Sequence, residues 1–251
     1  MPSMKHPLFF CGTSNMVFAE PNKAAFPLAF QDKPRLTYYA SRFNSLEVNS
    51  SFYKVPKPAT VARWATEVPE HFRFTFKLWK GITHVRGSVH QQHDLLHFLR
   101  VIDEAGQKTG CLLIQFPASV GADHAPVLEQ MLGTIVQAGN KYRIALEMRH
   151  TSWYTKRIYA LADTYRAGIV LHDMPRSLFQ ETATAAPFVY LRFHGPAGDY
   201  KGGYTDAQLQ QYATRIHTWM GEGKEVYVYF NNTIGDALQN AITLRSMVTG
   251  G

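Results

Sequence analysis

The sequence has little cysteine and no long apolar run. Cys11 and Cys111 are the only cysteines in 251 residues, and both lie within apolar segments. Two such thiols do not form a disulfide framework, so we expect a reducing compartment and a cytoplasmic protein. No stretch approaches the ~20 apolar residues of a membrane span. Residues 1–13 also lack the long apolar region of a secretory signal, so no membrane association is predicted.

The usual cofactor motifs are missing as well. A doubly wound nucleotide-binding sheet needs a glycine fingerprint after an early strand, and GTSNM at 12–16 is not one. There is no His-x-His or HExxH spacing, and His90, His93 and His97 share one face of a predicted helix that we expect to point to solvent or to pack. The sequence therefore predicts no particular cofactor and assigns no metal ligand. The residues that could still converge on a divalent Mg or Mn ion are Glu47, Glu147, Asp173 and His194.

The composition is that of a basic globular protein. Hydrophobic residues make up 45% and charged residues 18% of the chain. The 26 basic and 19 acidic side chains give a net charge of +7. Such a protein attracts anions over ~8 Å at physiological ionic strength, so small anionic molecules, nucleic acids and acidic surfaces are candidate partners. A basic net charge is also common in proteins without such partners.

Eight short apolar runs alternate with longer segments, most of which have helical periodicity. Apolar residues recur at spacings of three and four, as at Phe98, Leu99 and Ile102, which gives each helix a stripe to lay on a sheet. This alternation predicts an α/β protein, a closed (β/α)8 TIM-type barrel formed by one domain over 1–251. Residues 174–186 have weak periodicity, so the sixth helix is expected to be incomplete. The predicted strands lie at 8–12, 45–49, 72–78, 110–116, 142–147, 168–172, 187–194 and 225–231.

Every predicted strand ends in polar residues. The C-terminal ends of barrel strands hold the chemistry in this fold. One such residue is more often part of a structural ion pair, but eight polar ends together indicate an active-site face, because an unpaired charge there costs several kcal/mol. The expected catalytic residues are Glu47, Lys77, His84, Glu147, Asp173 and His194. The expected substrate-binding residues at these ends are Thr13, Asn49, Tyr53, Gln115, Arg149, Trp153, Arg192, Tyr229 and Asn231.

The segment HGPAGDYKGGYTDAQ at 194–208 is the sharpest local feature. Its glycines leave backbone N–H groups accessible, a lysine adds positive charge, and a helix N-terminus follows at Thr205. Together these features can hold a phosphate or carboxylate, although a flexible turn-forming loop has the same composition. The loop residues expected to bind substrate are Gly195, Lys201, Gly202, Gly203 and Tyr204.

Several ordered motifs along the chain are similar to those of one family: GTS at 12–14, YYASRFNSLEVNSSFYKVP at 38–56, FRFTFK at 72–77, ITH at 82–84, QFP at 115–117, LEMRHTSW at 146–153, HD at 172–173, VYLRFHG at 189–195 and YVYFNNT at 227–233. The chain resembles the domain-of-unknown-function 72, or YecE-like, family over essentially its whole length. The resemblance implies a triosephosphate-isomerase-type barrel and no settled activity. The family usually has Gly-Trp after GTS, where this chain has Asn15 and Met16, so no tryptophan can close over a ligand at that position.

The first functional hypothesis is an enzyme that performs acid–base chemistry of the hydrolase, lyase or isomerase type on a small anionic or phosphorylated substrate. The general base would be Glu47 or Glu147, and the general acid His84 or His194. The cationic side chains at the strand ends would stabilise developing negative charge.

The alternative is a barrel that binds nucleic acid or cleaves phosphodiesters. The positive charge favours it, as do aromatic residues that could stack on bases, such as Tyr53, Trp79 and Trp153. Two features disfavour this alternative. The basic residues are dispersed along the chain, and the strand ends carry fewer histidines than a trinuclear metal site needs. A third hypothesis is a non-catalytic ligand-binding protein. The sequence predicts neither the reaction nor the oligomeric state.

Overall fold

The structure is a computed structural model that describes residues 8–84, 92–139 and 141–250. Strands and helices alternate along the chain. The strands are β1 (Phe9–Thr13), β2 (Ser45–Val48), β3 (Arg73–Lys77), β4 (Thr109–Phe116), β5 (Arg143–Met148), β6 (Gly168–Ile169), β7 (Leu171–His172), β8 (Phe188–Phe193) and β9 (Glu225–Phe230). The α-helices are α1 (Arg35–Arg42), α2 (Ser50–Tyr53), α3 (Pro58–Thr66), α4 (Lys80–Thr83), α5 (Gln92–Ile102), α6 (Ala125–Gln137), α7 (Lys156–Thr164), α8 (Asp206–Gly221) and α9 (Ala237–Thr249).

The strands form two parallel sheets, ordered β1-β9-β8-β7 and β2-β3-β4-β5-β6. The predicted α/β class with parallel strands is confirmed. The sheets approach each other at two places. Ser14, just after β1, forms an isolated parallel bridge with Glu47 of β2, and the Asn15 N–H donates to the Glu47 carbonyl at 2.8 Å. Only Val170 separates β6 from β7, and its N–H donates to the Leu146 carbonyl at 2.9 Å.

Alternate residues of the strands pack into two apolar clusters. The larger cluster combines one side of the strands with the helical stripes, so that Leu128 and Leu132 of α6 share it with Leu146 of β5. The smaller cluster contains side chains from both sheets, including Leu113 and Tyr190. Strands buried on both sides read as nearly continuous apolar runs, which explains why the sequence located them.

The segment between β7 and β8 contains one short 3-10 turn, Pro175–Ser177, and no α-helix among the described residues. The weak periodicity of 174–186 predicts this shortened unit. On α5, His93 and His97 are both exposed, as predicted, while His90 lies outside the described residues. No helix in the described part of the chain is both long and apolar enough to cross a membrane.

Candidate active site

The C-terminal ends of the strands bring four charged side chains together in a buried position. Glu47 and Glu147 are fully buried, Arg192 is 1% exposed and Lys77 is 6% exposed. Parallel pairing aligns these ends, since Gln115 of β4 lies opposite Glu147 of β5 and His172 of β7 lies opposite Arg192 of β8. The predicted convergence of strand-end residues therefore occurs in the structure.

Arg192 lies at the centre of this cluster and connects the two sheets. Its Nε and Nη2 atoms donate to the two carboxylate oxygens of Glu47 at 3.0 and 2.7 Å. Its Nη1 donates to Oε2 of Glu147 at 2.6 Å. A buried guanidinium is tolerated only when its charge is matched, and two buried carboxylates match it here. Arg192 of β8 thus links the first sheet to β2 and β5 of the second.

Glu47 is ionised, and both of its carboxylate oxygens already accept hydrogen bonds. Besides Arg192, it accepts from Ser14 Oγ at 2.7 Å and from the Tyr190 hydroxyl at 2.6 Å. Burial alone would raise the pKa of Glu47, but the charge and hydrogen bonds of Arg192 bring it below the usual value. A carboxylate in this state orients Arg192 and is a poor general base.

Glu147 is held in the same ionised state. Its Oε1 lies 2.5 Å from Arg149 Nη2, and its Oε2 accepts from Arg192. Burial again favours the neutral acid, yet the charges of Arg149 and Arg192 take the pKa of Glu147 well below its ordinary range. Two guanidinium groups therefore balance the two central glutamates.

His194 links Arg149 to an acidic residue on the next loop. Arg149 Nη2 lies 2.9 Å from His194 Nε2, and because a guanidinium can only donate, that nitrogen accepts. The proton of the neutral ring is then on Nδ1, which lies 3.0 Å from Asp173 Oδ1. The Tyr204 hydroxyl donates to the other oxygen of Asp173. Burial lowers the pKa of His194 despite the Asp173 hydrogen bond, so the ring is neutral at pH 7.

Lys77 is a cation of the cluster that has no anionic partner among the described residues. Its Nζ lies 4.0 Å from the centre of the Phe52 ring. The carboxylates of Glu47 and Glu147 pair with arginines, and no described residue forms a hydrogen bond or ion pair with the Lys77 amine. Burial, reinforced by the charge of Arg192, lowers the pKa of Lys77 to about 7. The amine is therefore available as both proton donor and proton acceptor near neutral pH.

His84, which follows α4, also contacts Phe52. The two rings are nearly perpendicular with centres 4.8 Å apart, and His84 Nδ1 lies 2.8 Å from the Thr83 hydroxyl. Burial, followed by the charge of Lys77, lowers the pKa of His84 to about 4. His84 is thus neutral under physiological conditions and within electrostatic reach of Lys77.

Four buried polar atoms at these strand ends have no hydrogen-bond partner within the described residues. Oε1 of Glu147 still has the Arg149 guanidinium 2.5 Å away, and Oδ1 of Asn232 follows β9. The other two are Oδ1 of Asn49, which follows β2, and Nε of Arg149, which follows β5. Buried polar atoms almost always have a partner, so these two atoms retain hydrogen-bonding capacity that a water molecule or ligand can use. Gln115 is partly exposed and Asn231 is 9% exposed at the same ends of β4 and β9.

Some predicted binding residues are engaged within the protein. Trp153 has no exposed surface, stacks on Phe116 and donates its indole N–H to the Val120 carbonyl at 2.8 Å. Tyr229 is fully buried, with its hydroxyl 2.5 Å from Ser45 Oγ. The Thr13 hydroxyl donates to the Asn15 carbonyl at 2.6 Å. These placements favour structural roles. Tyr53, by contrast, is 62% exposed.

The loop expected to hold an anion uses several of its backbone donors internally. Gly195 N–H donates to the Tyr204 hydroxyl at 2.7 Å, and Tyr204 N–H to Asn240 Oδ1 at 3.2 Å. Lys201 N–H bonds to Asp199 Oδ1 at 3.2 Å. The Cα of Gly203 packs so closely on Asp236 that an added Cβ would lie 2.3 Å from its carboxylate. With these donors engaged and an acidic side chain in contact, the loop favours an anion less than its composition indicates.

Gly202 of the same loop accepts through its carbonyl from Asn232 Nδ2 at 2.9 Å and from the Asp236 N–H at 3.1 Å. The loops after β8 and β9 are therefore joined by direct hydrogen bonds. Their contact positions Tyr204, and through it Asp173 and His194.

The predicted site residues did not include Tyr190, Phe52 and Ser14, which contact the central charges. Tyr190 precedes Arg192 by two positions on β8, so the period of two that places strand side chains on one face could have identified it. Phe52 and Ser14 carry no such signal, since α2 and the bridge after β1 are local structures.

The remaining polar groups give little indication of a metal or of a second centre. Among the described residues, no cluster of three or more His, Cys, Asp or Glu side chains is arranged to hold a metal ion. A cavity of about 290 Å³ opens at the N-terminal ends of β3, β5 and β9, away from Lys77. Its charged lining includes Arg143 and Glu225, which pair at 3.0 Å. Because its residues begin the strands, this cavity lies at the opposite end from the charged cluster.

Comparison with known proteins gives one consistent result. A family described as "Protein of unknown function DUF72" matches residues 10–250. The UPF0759 protein YecE of Escherichia coli K12 is 30% identical over 121 residues, which cover 48% of this chain and 43% of that protein. The chain thus aligns with less than half of that relative. The UPF0759 protein YunF of Bacillus subtilis 168 is 24% identical over 254 residues, with 86% of each chain covered.

Solved structures agree at the level of the fold. A crystal structure of a DUF72 family protein from Enterococcus faecalis has a TM-score of 0.71 and 24% identity, covering 85% of this chain and 93% of that one. Another from Thermotoga maritima has a TM-score of 0.69 and 24% identity, covering 96% and 98%. At this identity the likeness concerns the fold alone.

Proposed function

The chain belongs to the DUF72 family, and from that premise we propose that it is an enzyme performing acid–base chemistry on a small anionic substrate at the C-terminal ends of its strands. The observation that carries the proposal is Lys77, a buried amine with no anionic partner among the described residues and a pKa lowered to about 7. A general acid or base works best when its pKa lies near the operating pH. Perturbed pKa values of this kind cluster at functional sites.

The proposal gives the proton-transfer role to Lys77 rather than to the two glutamates. Glu47 and Glu147 are held ionised by arginines, so their expected function is to position Arg192 and Arg149. The Nε of Arg149 is buried and has no hydrogen-bond partner in the described part of the chain, and Arg149 is the group proposed to bind the anionic part of the substrate. Asp173 and His194 fix the other end of its guanidinium.

We also propose that the two sheets close into one eight-stranded barrel. The Ser14–Glu47 bridge supports closure at one junction, and the single residue Val170 between β6 and β7 supports it at the other. In such a barrel the cluster around Arg192 fills the mouth, where substrates of this fold bind. Cys11 and Cys111 are buried and unpaired, which supports a reducing, cytoplasmic location.

The test is a screen for binding and turnover of small carboxylates and phosphates, followed by kinetics of two lysine variants. For a compound that is turned over, Lys77→Met is expected to lower kcat roughly 10²–10⁴-fold, the usual contribution of a general base or acid. If Lys77 accepts the proton, wild-type kcat/KM rises as the pH increases through about 7, and the variant loses this dependence. Lys80→Met is the matched control, because Lys80 is exposed and lies over the Tyr53 ring.

Turnover by Lys77→Met at the wild-type rate would exclude the assigned role. Binding without turnover of any compound would support the ligand-binding alternative instead. Binding that persists unchanged in Arg149→Met would contradict the proposed anion contact.

A nucleic-acid partner is the second candidate. It is favoured by Tyr53, an exposed aromatic ring beside Lys80, together with the net charge of +7. Base stacking on such a ring contributes ~1–3 kcal/mol per base. Titration of single-stranded and double-stranded oligonucleotides at several salt concentrations tests it. Salt-dependent binding that weakens in Tyr53→Ala supports this candidate, and its absence removes it.

A further inference from the structure

We infer that Lys77 forms a covalent imine with a small carbonyl compound that also carries a carboxylate or phosphate group. The inference rests on the proposed function of this site and deepens it by naming the substrate class and the bond. It follows from the position of the amine, the groups around it and the unpartnered atoms at the strand ends.

The surroundings of Lys77 are those of a nucleophilic amine rather than of a structural cation. A lysine that serves stability normally makes an ion pair or reaches solvent, and Lys108 does the former, with its amine bonded to two carbonyls and to Glu70. Lys77 has no such partner among the described residues, and the face of Phe52 lies beside its amine. An amine next to an apolar ring and near other cations retains an unprotonated fraction, which is the form that attacks a carbonyl.

The backbone fixes where this amine stands. Lys77 is the last residue of β3, and its carbonyl accepts from Ser51 Oγ at 2.7 Å. The next residue, Leu78, donates its N–H to the Leu113 carbonyl at 2.8 Å. A reactive group on a strand end is held more precisely than one on a loop, as a covalent step requires.

The chemistry of two unpartnered atoms at the strand ends suits the rest of such a substrate. Arg149 has a buried Nε that can donate to a carboxylate or phosphate oxygen. Asn49 has a buried Oδ1 that can accept from a hydroxyl group, including that of the carbinolamine. The charges of Glu47, Glu147, Arg149 and Arg192 are already balanced. A positive imine at Lys77 is therefore best matched by a negative group on the substrate itself.

The reaction balances without an added redox partner. The neutral amine of Lys77 attacks the carbonyl carbon, a C–N bond forms, and a proton moves from nitrogen to the former carbonyl oxygen to give a carbinolamine. The nitrogen lone pair then expels that oxygen as water, with a proton supplied from solvent. The product is a protonated imine and one water molecule. The imine draws electrons from the adjacent carbon, which is how a lysine makes a neighbouring C–H or C–C bond labile.

The experiment is reductive trapping on the wild-type protein. The protein is incubated with pyruvate or dihydroxyacetone phosphate and then treated with sodium borohydride, which adds hydride to the imine carbon and leaves a stable secondary amine. We expect an intact mass increased by that of the carbonyl compound less one oxygen atom. Peptide mapping is expected to place the added mass on Lys77. The neutral compounds acetone and dihydroxyacetone are the matched probes without an anionic group and are expected to label at least tenfold less.

The variants separate this inference from the function it rests on. Lys77→Met is expected to abolish labelling, whereas Lys80→Met retains it. Arg149→Met, which keeps the amine, is expected to reduce the preference for the anionic probes. Labelling distributed over exposed lysines, or equal labelling by neutral and anionic probes, would overturn the inference. If the anionic probes bind by calorimetry with no adduct at Lys77, the imine is excluded while the acid–base proposal stands. If they neither bind nor label while another anionic compound is turned over through Lys77, the carbonyl class is excluded.

Discussion

At the scale of single residues, the arginines and glutamates of the site form ion pairs, whereas Lys77 has no ion-pair partner among the described residues. Arg192 and Arg149 neutralise Glu47 and Glu147 at distances of 2.5 to 3.0 Å. Such pairs hold one another and contribute little to proton transfer near neutral pH. Among the described residues Lys77 has no ion-pair or hydrogen-bond partner, which is why the proposed function gives it the proton-transfer role.

The stability of Lys77→Met is expected to exceed that of the wild type. The pKa of Lys77 is lowered from 10.5 to about 7, chiefly by burial, with Arg192 and Arg149 opposing and Glu47 and Glu147 favouring the charged form. Between these values the unfolded chain binds a proton that the folded chain does not, so wild-type stability rises with pH across this window. Below about pH 7 the full penalty applies, roughly 3–5 kcal/mol at ~1.4 kcal/mol per pKa unit.

Urea unfolding between about pH 6 and pH 10 measures this effect. We expect the difference between Lys77→Met and the wild type to be largest at the acidic end and to vanish towards pH 10. Lys80→Met should show no such trend, because Lys80 is exposed. A Lys77→Met protein that is destabilised to the same extent at every pH would contradict the buried, unpartnered state. Stability gained on removing a site residue is typical of functional residues.

Removing a central carboxylate should have the opposite effect. Glu47→Gln leaves Arg192 with one anionic partner in a fully buried position, and breaking such a pair costs roughly 3–5 kcal/mol. Glu225→Gln is the matched control, since its pair with Arg143 is partly exposed and is expected to contribute about 1 kcal/mol or less. Chemical denaturation of both variants tests this. Equal losses of unfolding free energy in the two variants would mean that the buried Glu47–Arg192 pair contributes no more to stability than the partly exposed pair.

At the scale of elements, the sequence predicted the strands and helices that follow from a local pattern of apolar residues. Strands β3, β4, β8 and β9 are buried on both sides and appear as apolar runs, and helices such as α6 carry stripes with the helical period. The sequence did not predict α2 or α4, because four residues carry no period. It also read 168–172 as one strand, whereas the structure has β6 and β7 with Val170 between them.

Asn15 illustrates how a departure from the family pattern is accommodated. Its φ of 63° lies in the left-handed region, which glycine adopts most easily and asparagine tolerates best among the other residues. The Asn15 N–H still donates to the Glu47 carbonyl at 2.8 Å. The bridge between β1 and β2 is therefore kept although the glycine usual in the family is absent.

The loop after β8 yields a prediction about its glycines. Gly195 has φ of 96°, and an added Cβ would lie 2.2 Å from the Lys201 carbonyl oxygen, so Gly195→Ala is expected to cost about 2 kcal/mol or more. It should also disturb the Tyr204–Asp173 contact, because Gly195 N–H donates to the Tyr204 hydroxyl. Thermal unfolding gives the first effect, and the chemical shift or pKa of His194 measured by NMR gives the second.

Gly221→Ala is the control for this loop. Gly221 ends α8 with open space around it, and alanine there is expected to be neutral or to stabilise the protein by up to ~1 kcal/mol. A Gly195→Ala protein that matches Gly221→Ala in both measurements would show that the loop adapts without strain.

At the scale of the whole molecule, the sequence predicted which strand ends carry the site but not how they pair. Alternation and position on the strands placed Glu47, Lys77, Glu147 and Arg192 at one end, and they do lie together. The sequence did not predict that Arg192 binds both glutamates across the two sheets, so that no anionic partner remains for Lys77 among the described residues. These contacts depend on distances between residues that are far apart in the chain. Likewise, glycine content predicted an anion loop at 194–205, but composition does not reveal that the N–H groups of Gly195 and Tyr204 are used by tertiary contacts.

The links between the sheets lead to a prediction about cooperativity. Arg192 joins β8 to Glu47 of β2 and Glu147 of β5, and the Ser14 bridge joins β1 to β2. A molecule held together in this way is expected to unfold as one unit, because separating the sheets would expose these buried charges unpaired. The prediction applies equally to the proposed closed barrel and to the single domain expected from the sequence.

Tryptophan fluorescence can test this cooperativity, since the four tryptophans are spread along the chain. Trp219 lies on α8, between β8 and β9 of the first sheet, while Trp64, Trp79 and Trp153 follow strands of the second. In Trp219→Phe, the remaining tryptophan fluorescence reports the second sheet. We expect the urea transition detected by this fluorescence to coincide with the transition detected by far-ultraviolet circular dichroism. Two separated transitions would mean that the sheets are independent units. In Glu47→Gln the midpoints should shift together, because the lost contact belongs to both sheets.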